Sequence, residues 1–173
     1  GPRHWILSNN PSLHSTARLL RAARQRGLDA AAVPPSAVVP YLAAGVSGVA
    51  GWPFPPPLVV LPRIGSNASR LGVHVVRHLE AMGTRALNGA DALERARDKW
   101  SGALHLAAAG VPIPATALVN LKGDIRAALE TVGGPPVVLK VLRGSHGVGV
   151  MLCRTRRDVE EHVTALRGLG REV

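Results

Sequence analysis

A chain of 173 residues with 46% hydrophobic content and a formal charge of +10 is long enough to bury a core and too apolar to remain unfolded in solution. Its single cysteine, Cys153, excludes an intrachain disulfide and fits a reducing compartment; no apolar run approaches the ~18 residues of a membrane span. Eighteen arginines, scattered rather than massed, face only three lysines, which reads as a solvated basic surface and makes the placement of Lys99 and Lys140 conspicuous.

In chain order, HWILS at 4–8 predicts a short strand, 14–26 a helix and 28–33 a second strand. Leu13, Ala17 and Leu20 share one helix face, and Gly27 supplies the stop. A β-α-β opening points to a doubly wound parallel sheet. Residues 34–57 contain the run Pro55–Pro57 and read as a loop with a hairpin near Val46–Ala50. LVVLPRIG at 58–65 reads as a buried strand ending in Arg63 at the sheet's carboxyl edge, where ligands of such sheets gather. A helix over 66–82 is expected to bury Leu71, Val75, Leu79 and Met82, followed by a strand at 85–87.

The second half reads α-β-α-β-β-α. Asn88 with Asp91 resembles a capping box, and Asp98 is placed to cap a helix over 99–109 that buries Trp100, Leu104, Ala107 and Ala108. A strand over 114–119 and a helix over 122–132 follow, then a hairpin over 136–152. Thr155, with Asp158 three residues on, predicts a second capping box. It opens a helix whose inward residues are Val159, Val163 and Leu166. The boundaries drawn from these patterns are 3–87 for the first domain and 88–173 for the second.

The stretch VVLKVLRGSHGVGV at 137–150 carries the clearest chemistry. A β-branched run contains a lone Lys140, and a glycine-rich turn then joins it to a returning apolar run. Gly144, Gly147 and Gly149 have no Cβ to keep phosphate oxygens away from backbone N–H groups. Ser145 and His146 add a hydroxyl and an imidazole. Lysine upstream of the glycines, with a strand on either side, is a flap arrangement; neither a Walker-type P-loop nor a G-x-G-x-x-G turn occurs. Lys99 at a helix start opposes the helix dipole at a cost of about 0.3–1 kcal/mol, which a bound anion would offset. These features predict a nucleotide triphosphate held under a flap. His74 and His78 are spaced for metal on a helix, but no nearby ligand completes a set, and coincidence is the simpler account. Cys153 reads as a small buried residue.

As an ordered set, ILS, RLLRAARQRG, VVLPRIG, HLEAMG, ERARDK, LAAAGVPIP, VGGPPVVLK and GSHGVGV resemble the ATP-grasp ligases of the RimK type, the alpha-L-glutamate ligases. The DKW at 98–100 is also similar to the LysX ligases. The resemblance implies a pre-ATP-grasp domain of doubly wound parallel-sheet fold, followed by the small α+β lobe of an ATP-grasp fold, without the large lobe. It implies ATP as cofactor with Mg²⁺, whose ligands are expected in that large lobe. Lys99 and Lys140 match the family's phosphate-contacting lysines, and Gly144, Ser145, His146, Gly147 and Gly149 match its flap; His146 stands where glutamine is frequent. The reaction implied is ATP-dependent carboxylate–amine ligation through an acylphosphate. Its partners would be an acidic amino acid such as glutamate and a protein or small-molecule carboxylate acceptor, with Arg63 a candidate for the acidic substrate. No catalytic or metal-ligating residue is assigned in this chain, which is expected to be inactive alone. A cytoplasmic location is expected, and no membrane partner. The alternative is a non-catalytic basic module docking RNA or the ribosome; with 3% aromatic residues it has few stacking platforms, and nucleic acid is not expected as a partner.

Overall fold

The computed structural model describes residues 1–65, 69–119, 124–144, 148–171 and 173, and the chain divides into two compact units, Gly1–Glu94 and Arg95–Val173.

Unit 1 is built on a four-stranded parallel sheet in the order β2-β1-β5-β6, with β1 at His4–Leu7, β2 at Ala30–Val33, β5 at Val59–Pro62 and β6 at Arg85–Ala86. Helix α1 (His14–Gln25) carries the chain from β1 to β2, and α2 (Ser69–Ala81) carries it from β5 to β6. The two crossovers leave the centre of the sheet in opposite directions, so the carboxyl ends of β1 and β5 form a topological switch point. The expected doubly wound sheet is thus present. Its core is Trp5, Leu7, Val33, Val60, Val73, Val75, Val76 and Leu79, all nearly or wholly excluded from solvent.

The faces of the helices differ from the predicted ones. On α2 the buried residues include Val73, Val75, Val76 and Leu79, whereas Leu71 is 46% exposed. β-branched valines pack flush on a twisted sheet, and this shifts the buried stripe. On α1, Leu13 is exposed and Thr16 is fully buried. Thr16 tolerates this because its hydroxyl meets that of the buried Ser8 at 3.1 Å, satisfying both polar groups.

The proline-rich connection is more ordered than a loop. Strands β3 (Val39–Ala43) and β4 (Val46–Ala50) pair antiparallel around Ala44 and Gly45. Both turn residues have positive φ, +49° and +78°, the signature of a type I′ hairpin. His78 of α2 fixes the hairpin: its Nε2 donates to the Gly48 carbonyl at 2.8 Å and lies 3.2 Å from the Ser47 hydroxyl. His78 is therefore engaged with backbone, while His74 on the same helix is exposed. Farther along, Trp52 packs edge-to-face on Trp5 at 6.3 Å, and Phe54 on Trp52 at 6.2 Å, tying the connection to the sheet.

The helix predicted to begin at Asn88 begins at Ala90 instead, as α3 (Ala90–Arg97). The carboxylate that receives the Ala90 N–H belongs to Glu80, at 3.1 Å.

In unit 2, strands β7 (Val137–Lys140) and β8 (Val150–Cys153) form the expected antiparallel hairpin. Helices α5 (Ile125–Thr131) and α6 (Arg156–Gly168) accompany it. Leu129, Leu139, Val141, Cys153, Val159, Val163 and Val173 form its core. The capping box at Thr155 is complete: its hydroxyl accepts the Asp158 N–H at 3.1 Å, and the Asp158 carboxylate accepts the Thr155 N–H at 2.9 Å. The Thr155 hydroxyl, followed by the Thr155 and Arg154 N–H groups, hydrogen-bonds to the charged form and holds the Asp158 carboxyl below the usual carboxylate range. Burial pushes the Cys153 thiol up, as expected of an inert core thiol.

Two expectations fail here. Helix α4 (Lys99–Ala108) contains no buried residue; Leu104 is 56% exposed and Leu106 is 48% exposed. Residues 114–119 are not a strand. Pro112 and Pro114 lack N–H donors, and among the described residues the one backbone bond of strand type there runs from the Val119 N–H to the Val173 carbonyl, at 3.2 Å. Among the described residues, no helix is long and apolar enough to cross a membrane.

Candidate functional site

The glycine-rich turn of unit 2 begins against the N-terminus of α4. Asp98 caps that helix, its Oδ1 accepting the Ser101 N–H at 2.8 Å, while its Oδ2 lies 3.7 Å from Arg143 Nε. The Lys99 N–H donates to the Leu142 carbonyl at 3.1 Å, and the Lys99 ammonium reaches the Gly144 carbonyl at 3.5 Å. The Asp98 cap offsets the unfavourable dipole beneath Lys99. So the structure brings Lys99 to the first residue of the turn, as two successive residues, Asp98 and Lys99, grip Leu142, Arg143 and Gly144.

Of the two described glycines of the turn, Gly149 occupies a position that a side chain would spoil and Gly144 one that a side chain would crowd. Gly149 has φ +74°, and a Cβ there would stand 2.6 Å from Val141 Cγ2. At Gly144 a Cβ would stand 3.1 Å from both Val141 Cγ2 and the Val148 carbonyl oxygen. Val141 is thus the post around which the turn closes, and the Val141 N–H donates to the Gly149 carbonyl at 2.9 Å. Ser145, His146 and Gly147 lie outside the described residues.

Lys140 lies on the opposite face of the hairpin from Leu139 and Cys153. It is exposed, so its place within an apolar run does not bury the ammonium. What marks it is its company: Val138, two residues earlier on the same strand, and Val150 and Leu152, directly and diagonally opposite on β8, share its face and stand 42–56% exposed. A single ammonium on an open apolar shelf suits a ligand with one flat apolar part and one anionic part. Trp100, next to Lys99, is half-buried.

A second cluster lies at the switch point of unit 1. The Arg63 N–H continues the ladder to the Leu7 carbonyl at 2.8 Å, and the Ser8 N–H does the same to Val33 at 3.0 Å. The Arg63 guanidinium is exposed and donates to the Ser15 hydroxyl at 3.2 Å. Ser15 lies in the first turn of α1, a helix whose N-cap residue, Leu13, offers no side-chain hydrogen bond. Sequence reading found Arg63 but missed Ser15 and Arg143. The absence of a capping side chain before α1 was the available signal for the first. For the second it was an arginine flanking the glycines next to an aspartate–lysine helix start.

Among the described residues, no group of three His, Cys, Asp or Glu side chains could hold a metal ion. The residues present fit a polyphosphate: an ammonium at the turn, a second on the shelf, and a glycine, Gly149, whose positive φ and 2.6 Å clash exclude a Cβ. They do not supply a donor set for Mg²⁺.

Two family descriptions match the chain end to end: the RimK PreATP-grasp domain over residues 3–93 and the RimK-like ATP-grasp domain over residues 96–169. A probable alpha-L-glutamate ligase 1 of Shewanella amazonensis is 37% identical over 166 residues, covering 95% of this chain and 55% of that protein. A probable alpha-L-glutamate ligase of Pseudomonas paraeruginosa is 34% identical over 170 residues, covering 97% and 56%. The crystal structure of a RimK domain ATP-grasp protein from Sphaerobacter thermophilus superposes with a TM-score of 0.75 at 26% identity, covering 98% of this chain and 61% of that one. The chain spans little more than half the length of the curated relatives it matches. With its parallel pre-ATP-grasp sheet and the hairpin lobe that follows, the chain belongs to the RimK family of ATP-grasp ligases.

Proposed function

We propose that this chain is the nucleotide-binding, N-terminal part of an ATP-dependent carboxylate–amine ligase that adds glutamate or a similar acidic amino acid to a carboxylate acceptor. The observation that carries this reading is the grip of α4 on the glycine turn, which sets the Lys99 ammonium beside Gly144. In the proposed complex the base lies on the Val138–Val150–Leu152 shelf. Lys140 and Lys99 meet the phosphates, and the turn 144–149, including Ser145, His146 and Gly147, covers them with backbone N–H groups. In ligation ATP supplies a phosphoryl group that turns the acceptor carboxylate into a better acyl donor. The part of this chain's residues is to orient and neutralise the phosphates while charge moves between them.

Arg63 and the uncapped start of α1 at the switch point take the acidic substrate, by guanidinium pairing and helix-terminus N–H groups. Mg²⁺ would draw its ligands from outside the described residues. The chain alone therefore binds ATP without completing ligation, and an assay of ATP-dependent glutamate incorporation returns no turnover.

Isothermal titration of ATP into the chain tests the reading. Saturable binding is expected, weakened about ten- to hundredfold in Lys140→Ala, the scale of a lost hydrogen bond to a charged group, and unchanged in Arg157→Ala on α6. Equal binding by Lys140→Ala and the unsubstituted chain would sink it. Docking of nucleic acid gains no support from the aromatic side chains, because Trp5, Trp52 and Phe54 pack on one another.

A further inference from the structure

All eleven acidic residues of the chain lie at or beyond Asp29, so the first 28 residues hold five arginines and no side-chain carboxylate. On α1, His14, Arg18, Arg21 and Gln25 recur at i, i+4, i+7 and i+11 and are all exposed. They form one polar stripe along the helix, flanked by the exposed Arg24. Four arginines on the other helices answer carboxylates: Arg77 meets Asp91 and Glu94, Arg126 meets Glu130, Arg156 meets Glu160, and Arg157 meets Glu161. Among the described residues, Arg18, Arg21 and Arg24 have no such partner. Like charges at these spacings disfavour the helix that carries them, so the stripe is a feature that an anionic ligand would relieve. It starts beside Arg63, whose guanidinium is bonded to Ser15 at the head of the same helix. Exposed arginines therefore extend from the switch point, at Arg63, along the solvent side of α1.

We infer that this face of α1 is a docking strip for an acidic polypeptide segment, whose carboxylates lie along Arg18, Arg21 and Arg24 while one end reaches Arg63. The inference rests on the reading of the chain as part of a ligase acting on a carboxylate acceptor, and it gives that acceptor a chemistry and a place. Guanidinium forks suit carboxylates bidentately. A single-stranded nucleic acid would want stacking rings beside the charges, and no aromatic residue occurs between Trp5 and Tyr41.

The test measures fluorescence anisotropy of a labelled oligoglutamate titrated with the 173-residue chain at low and at high salt. Saturable binding is expected, weaker at high salt as exposed charges are screened. The double variant Arg18→Glu/Arg21→Glu is expected to bind at least about tenfold more weakly, since it juxtaposes like charges; Arg157→Glu on α6 should match the unsubstituted chain. An oligoglutamine of the same length should not bind. Circular dichroism checks the fold, and Arg18→Gln/Arg21→Gln decides the matter if the charge reversal unfolds the chain. Absence of oligoglutamate binding, or binding indifferent to these substitutions, overturns the inference. So does tighter binding of a labelled oligouridylate that the same substitutions release. An ATP titration keeps the two readings apart: a chain that releases oligoglutamate on Arg18→Glu/Arg21→Glu but never binds ATP refutes the ligase reading and leaves the strip standing.

Discussion

Unit 1 and unit 2 bury their apolar residues in different ways. In unit 1 a parallel sheet is covered by helix valines, and Trp5, Leu7 and Leu79, the largest of its fully buried side chains, are wholly enclosed. In unit 2 a two-stranded hairpin leans on α5 and α6 through one face only; Val138, Val150 and Leu152 remain open on the other, as do Leu104 and Leu106 on α4. A parallel sheet demands cover on both faces, whereas an antiparallel hairpin can leave one free. The difference suits the proposed nucleotide site, since the face left open in unit 2 is the shelf assigned to the base.

The comparison breaks most readily in the core of unit 1. Leu79→Ala should destabilise that unit by about 2–5 kcal/mol, read as a lower urea midpoint in circular dichroism; a change below about 1 kcal/mol would mean that the enclosed core is not what holds the sheet. Gly149→Ala comes next. It combines positive φ with a clash on Val141, and at about 1–3 kcal/mol it should cost more than Gly168→Ala on α6, where a Cβ would meet nothing. Thr155→Ala removes half of the capping box and should cost about 1 kcal/mol, seen as earlier loss of α6 helicity. Acid should act on the same cap. Asp158 has a depressed folded carboxyl pKa, so its contribution is complete above the ordinary carboxylate range and is lost as pH falls through the folded value. Stability measured against pH should therefore decline at the acid end, and the decline should be shallower in Asp158→Asn. The smallest effect belongs to the open helix: Leu104→Ser on α4 should stay within about 0.5 kcal/mol, and a larger loss would show that α4 is covered in solution.

Much of this was legible in the residues. The alternation of strand and helix around Gly27 and the LVVLPRIG run dictated the parallel sheet, and Thr155 with Asp158 dictated the start of α6. Lys99 at a helix start and the glycines after Lys140 marked the turn before any geometry was known. Periodicity read less well where tertiary packing chose among apolar residues. Val73 and Val76 took the place of Leu71 beside the expected Val75 and Leu79 on α2, and Thr16 replaced Leu13 on α1 because a distant serine hydroxyl was there to meet it. The cap of α3 comes from Glu80, ten residues upstream of Ala90, a distance at which no local motif operates. Among the described residues the strand expected at 114–119 finds only the Val119–Val173 bond, too little to make a ladder.

The three indoles are divided between the units. Trp5 and Trp52 sit in unit 1, the first sealed from water, while Trp100 stands alone in unit 2, one residue past Lys99. Intrinsic emission is therefore already apportioned: a Trp100→Phe difference spectrum isolates the light from beside the glycine turn, and nucleotide arrival can be followed there without attaching a dye.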